Sequence, residues 1–154
     1  EAVLGPAARG SDLTFACRKT SRKFWMLHPA FAEDWNETLS AYTNYDVEGE
    51  EPELRPSSAP AAVLEDSREL YGSLEIRTAL GDVKRPMSLL AAPRGLLNDA
   101  PGVCSERDIS QWQKEFPAIQ ITEVSGVNHY TLVLSARGAA AIGSELRRGL
   151  AVSE

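Results

Sequence analysis

Apolar and polar positions along the last seventy residues change period three times. Met87–Ala92 (MSLLAA) is a short, nearly continuous apolar run, bounded by Pro86 before and by Pro93 and Gly95 after. A run of that length between breakers predicts a strand buried on both faces, as in a parallel sheet. Ser105 then stands where a helix N-cap belongs, with Asp108 three residues on as its capping-box partner. Ile109, Trp112 and Phe116 follow at helical spacing, and Pro117 ends the helix. Ile119 and Ile121 alternate with Gln120 and Thr122, the period of a strand with one drier face. Ser135 can cap a closing helix whose predicted buried stripe is Ala139, Ile142, Leu146 and Leu150, with Arg147 and Arg148 near its C-terminal end. Residues 86–150 therefore read as a βαβ unit with a trailing helix, and the right-handed crossover makes its two strands parallel.

Residues 1–82 carry no convincing strand pattern. Ser21–His28 reads as a helix ending before Pro29, and Ala32–Tyr42 places Trp35, Leu39 and Tyr42 at helical spacing. Residues 46–60 are acidic and broken by Pro52, Pro56 and Pro60, which predicts a loop. Pro60–Tyr71 and Gly72–Leu80 read as two further helices. No internal repeat is present. A parallel sheet of two strands is not a stable architecture, because parallel sheets take more strands and are covered on both faces. The expectation is a larger α/β fold whose remaining strands come from another segment. The chain begins with Glu1 rather than Met, which suggests a processed or separately numbered polypeptide.

Composition narrows the classes. The 154 residues are 43% hydrophobic and 25% charged, a globular balance. The net charge of −6 argues against a nucleic-acid scaffold, which needs cations to neutralise phosphates. No apolar run approaches eighteen residues, so no stable membrane insertion is expected. Cys17 and Cys104 lack metal-site spacing and are too few for a disulfide framework; with no signal peptide visible, they suit a reducing, cytoplasmic compartment. No metal or cofactor is expected.

Candidate chemistry sits after the two strands. Asp99 lies in the loop following the first and His129 in the loop following the second. In an open parallel sheet, functional groups gather at the carboxyl ends of strands, so both residues fall on one edge. A carboxylate there can fix the tautomer of the imidazole and stabilise the imidazolium formed when it accepts a proton. Asp108 is better explained as a helix-start residue, and Asp82 precedes the strand. His28, before Pro29, reads as a helix-end or surface residue, and Arg18, Lys19, Arg22 and Lys23 as a solvated helix face. Ser125 precedes Gly126 in a strand-end loop and is not a nucleophile candidate.

On these residues the chain resembles the α/β-hydrolase superfamily. The resemblance is carried by VSGVNHYTLV with His129, by PMSLLAAPRGLLND with Asp99, and by the closing helix. Acid before histidine is the family's order after its nucleophile. The helical first part, in WMLHPAFAEDW and AYTNYDVEGEEPELRP, resembles the cap inserted in many members. The resemblance implies a C-terminal part of an α/β-hydrolase fold, with a cap or lid over 1–82 and core over 83–154. It implies a Ser-His-Asp triad in which His129 is the base and Asp99 orients it. The family's G-x-S-x-G elbow is not among these residues. The nucleophile serine and the oxyanion hole are therefore expected on a companion N-terminal polypeptide, produced by cleavage of one precursor.

Trp25, Phe31, Trp35, Tyr42 and Tyr45 are each explained by packing, and as a group suit the lining of a site for a small apolar acyl substrate. The activity implied is hydrolysis of an ester, thioester or lactone. An acyltransferase or cyclase with the same triad, an aspartate nucleophile, and a non-catalytic ligand-binding subunit are the alternatives.

Overall fold

The computed structural model describes residues 13–70 and 74–151. The chain divides into two compact units, residues 1–73 and 74–154.

The described part of the first unit is built from helices α1 (Arg18–Met26), α2 (Pro29–Ala32), α3 (Glu37–Tyr45) and α4 (Pro60–Leu70). The expected helix over Ala32–Tyr42 is interrupted. Pro29 opens α2 at a position where its missing N–H is no loss, with His28 as N-cap, and Asn36 begins α3 afresh by accepting the Leu39 N–H at 3.0 Å. Between α3 and α4, where the sequence predicts only loop, two-residue strands β1 (Val47–Glu48) and β2 (Arg55–Pro56) pair antiparallel. Strands that short leave no periodicity to read. Phe15 extends this small ribbon by exchanging both backbone hydrogen bonds with Leu54, at 2.7 and 3.0 Å. Phe15, Val47 and Leu54 form a buried cluster against which Leu13 and Phe24 pack.

The second unit contains α5 (Leu74–Asp82), β3 (Met87–Ala91), α6 (Glu106–Glu115), β4 (Ile119–Glu123) and α7 (Ala136–Ala151). Strands β3 and β4 pair in parallel, Met87 opposite Ile119 through to Ala91 opposite Glu123. The βαβ order and the parallel pairing match the sequence reading. The capping box forms as expected: the Ser105 hydroxyl accepts the Asp108 N–H at 3.2 Å, and the Asp108 carboxylate accepts the Ser105 N–H at 3.0 Å. Ser135 caps α7 by accepting the Gly138 N–H at 3.1 Å.

Two burial expectations are corrected. Strand β3 is not buried on both faces: Ser88 is exposed, and Met87, Leu89 and Leu90 are only half-buried. Among the described residues it has one neighbouring strand, so part of its surface stays open. The stripe on α7 is not buried either. Leu146 and Leu150 are 63% and 72% exposed, and Ala139 is exposed. The helix has an apolar face that the described part of this unit leaves uncovered.

Candidate functional site

Beyond β3 and β4 the two segments that follow the strands stay together and build the site. The ladder runs at an offset of 32 residues as far as Ala91 and Glu123. It resumes as an isolated parallel bridge between Arg94 and Asn128, an offset of 34. The second strand therefore spends two more residues on the gap than the first. Gly126, in the left-handed region at φ +77°, turns the chain within that bulge. Val124 N–H to Ala91 O at 2.8 Å closes the near end, and His129 N–H to Arg94 O at 2.9 Å closes the far end. The backbone of His129 is thus an extension of the sheet.

Asn128 anchors the turn that presents His129. Its side chain is fully buried. Its Oδ1 accepts the N–H groups of Tyr130 at 3.0 Å and Thr131 at 2.9 Å, while the Thr131 hydroxyl oxygen accepts the Asn128 N–H at 2.8 Å. This is the reciprocal pattern of a helix N-terminus, and Leu132 N–H to Asn128 O at 2.9 Å completes a helical turn. His129 stands at its first position. The imidazole is exposed at its outer side and lies edge-on to Tyr130, with centroids 5.4 Å apart. Loss of hydration on its protein side lowers its pKa below the ordinary 6.5, favouring the neutral form that a general base needs.

Asp99 ends a tight turn. Gly95 N–H donates to Asp99 O at 2.7 Å, and Asn98 N–H to Gly95 O at 3.2 Å. Asn98 holds φ +68°, a conformation that asparagine tolerates better than most residues. The Asp99 carboxylate is exposed and lies over Gly95: a Cβ built on that glycine would be 3.5 Å from Asp99 Oδ1. No hydrogen bond joins the Asp99 carboxylate to the imidazole of His129 in this structure. The two loops are joined one residue earlier instead, where Asn128 Nδ2 donates to Asn98 Oδ1 at 3.0 Å. Sequence reasoning missed both asparagines. A signal was present, since Asn128 and Thr131 have the spacing of a helix cap and its partner.

The five aromatic candidates lie in the first unit. Phe31 is fully buried, and Trp25 packs on it at 5.8 Å and on Phe24 at 5.1 Å. Trp35 borders an open groove with Arg22, Asn36 and Ser40, the Arg22 guanidinium 5.9 Å from its ring centre. Tyr42 and Tyr45 are exposed, Tyr45 at 85%. His28 is a buried cap: its Nδ1 accepts the Ala30 N–H at 3.2 Å, and burial lowers its pKa. Arg18, Lys19, Arg22 and Lys23 are all exposed.

The fold has a counterpart among solved structures. The crystal structure of E-2-(acetamidomethylene)succinate hydrolase superposes with a TM-score of 0.68 at 18% identity, over 93% of this chain and 50% of that one. The chain has part of an α/β-hydrolase fold. It spans about half the length of that hydrolase. No protein-family model and no curated protein matches the sequence. Among the described residues no three His, Cys, Asp or Glu side chains are grouped to hold a metal ion, and no helix is long and apolar enough to cross a membrane.

Proposed function

We propose that this α/β-hydrolase part supplies the base and acid of a serine hydrolase acting on an ester, thioester or lactone of a small apolar acyl group. The observation that carries the reading is the clasp of the Asp99 and His129 turns at the carboxyl ends of adjacent parallel strands, where this fold gathers its chemistry. The nucleophile serine and oxyanion hole lie on a companion segment outside these 154 residues. Coverage of half of the structurally similar hydrolase supports that placement, as does the uncovered apolar face of α7. That protein is named as a hydrolase, which favours hydrolysis over acyl transfer.

In the mechanism the serine oxygen attacks the acyl carbon while its proton passes to the neutral His129 ring. Backbone N–H groups of the companion segment hold the oxyanion. Collapse breaks the bond to the leaving alcohol or thiol, which takes the proton from His129 and leaves an acyl-serine. Water then repeats the sequence, giving its proton to His129 and releasing the acid and the free serine. Asp99 closes on His129 in the complete site and stabilises the imidazolium; such contacts are often long before substrate binds. Within the first unit, Tyr42 and Tyr45 are exposed and Trp35 borders an open groove, ring surface of the kind an apolar acyl group takes, while Trp25 packs on the buried Phe31.

The test is His129→Ala in the complete protein, assayed with p-nitrophenyl butyrate and a fluorophosphonate label. Turnover and labelling are expected to fall by about three orders of magnitude or more with the melting temperature unchanged. A variant that keeps near-normal turnover overturns the assignment.

A further inference from the structure

We infer that Asn98 and Asn128 are a pair of positioning residues that hold the acid turn against the base turn in register, an inference that rests on the triad reading above. Each asparagine immediately precedes one member of the proposed pair, Asn98 before Asp99 and Asn128 before His129. Their side chains meet at 3.0 Å, Nδ2 of Asn128 donating to Oδ1 of Asn98. The contact lies on the far side of the Arg94–Asn128 bridge, where the strand ladder has ended and no sheet hydrogen bond fixes the Asn98 turn.

Each end of the contact is held independently. On the His129 side, the Asn128 side chain also accepts two backbone N–H groups of its own turn, so it cannot move without releasing them. On the Asp99 side, Asn98 is locked by its left-handed backbone and by the Gly95–Asp99 turn. A shift of the amide contact therefore becomes a shift of the backbones that carry the carboxylate and the imidazole. The chemistry also selects the residue type. Position 128 must both donate, to Asn98, and accept, from Tyr130 and Thr131. An amide does both; a carboxylate only accepts, and a hydroxyl is too short to span the turn and the neighbouring loop together. Asparagine at 98 supplies the acceptor and tolerates positive φ.

A double-mutant cycle in the complete protein tests this, with p-nitrophenyl butyrate as the probe. Asn98→Gly keeps the left-handed conformation available and deletes the acceptor; Asn128→Ala deletes the donor. Each is expected to lower kcat about ten- to a hundredfold with KM within about threefold, the response to a misplaced reacting group rather than to lost substrate contact. The double variant is expected to lose no more than the worse single, because the two remove one contact. If Asn128→Ala fails to fold, Asn98→Gly alone decides through its kcat. Wild-type kcat in Asn98→Gly, or losses in the two singles that multiply in the double, overturns the proposal. His129→Ala in the same series separates the two readings. Inactive His129→Ala with wild-type Asn98→Gly refutes only the positioning pair; active His129→Ala refutes the triad and this inference with it.

Discussion

Replacing Gly138 with alanine sets two well-understood effects against each other. Gly138 lies in the first turn of α7, and by helix propensity alone the substitution stabilises by up to about 1 kcal/mol. Its surroundings forbid the gain. A Cβ at this position would stand 2.0 Å from the carbonyl oxygen of Leu132, 2.5 Å from its carbon and 2.7 Å from the oxygen of Thr131. Carbon–oxygen contacts settle at roughly 3.3 Å or more, so the helix and the His129 turn must part by over about 1 Å. All three opposing atoms are backbone, in a turn whose polar side chains are buried, so no rotamer change relieves the clash. Overpacking of this kind costs about 1–3 kcal/mol, and here the upper end applies. The net expectation is a loss of about 2 kcal/mol in urea denaturation of the complete protein, with an unchanged m-value. A displacement of that size at His129 also predicts an approximately hundredfold loss of turnover. Gly143→Ala on the same helix is the control. Its nearest neighbour is the flexible Arg147 guanidinium at 3.4 Å, so it follows propensity and stabilises by up to about 1 kcal/mol. Equal or greater stability in Gly138→Ala than in the parent would refute the steric argument.

Two further predictions concern protons. Hydrogen bonds from Ser105 hold the Asp108 carboxyl below its ordinary 3.8; a depressed folded pKa contributes stability above 3.8 that is lost as pH falls through the folded value. Ser105→Ala should therefore lower stability at pH 7, with the gap from the parent narrowing in denaturation curves below pH 3.8; a gap constant with pH would contradict the capping role. Desolvation lowers the pKa of His129, so the folded state binds its proton less readily than the unfolded chain and stability falls as pH drops through 6.5. The acid limb of kcat/KM should accordingly lie below 6.5 and vanish in His129→Ala, and a limb above 6.5 would show that another group titrates.

What could be read from the sequence was what is decided locally. Ser105 and Asp108 three residues apart specify a capping box wherever they occur, and the box is present. The apolar run at Met87 and the alternation at Ile119 marked both strands, and with a helix between them handedness left only the parallel pairing. What was not legible depends on distant chain. The stripe on α7 has the period of a buried face, but period cannot say what covers it, and Leu146 and Leu150 are exposed. The β1–β2 ribbon rests on a long-range pairing of Phe15 with Leu54 that no local window contains. At the site, residue types and strand-end positions pointed to Asp99 and His129. The asparagine contact that joins their loops depends on a two-residue difference between strand gaps, visible only once the register is known.

The burial of the His129 turn has a consequence for hydrogen exchange. Val127, Asn128 and Thr131 are each no more than 1% exposed, whereas α6 has no buried residue at all. Amides exchange through local opening, and the cost of opening follows how much packing and hydrogen bonding it breaks. The slowest amides of this unit should therefore lie in a loop, at Asn128 and Thr131, while the regular helix beside it exchanges early. That inverts the usual order, in which a firm scaffold carries pliable functional loops. Here the loop is the firm part, so natural variation that alters the chemistry at His129 must first contend with the stability of the unit.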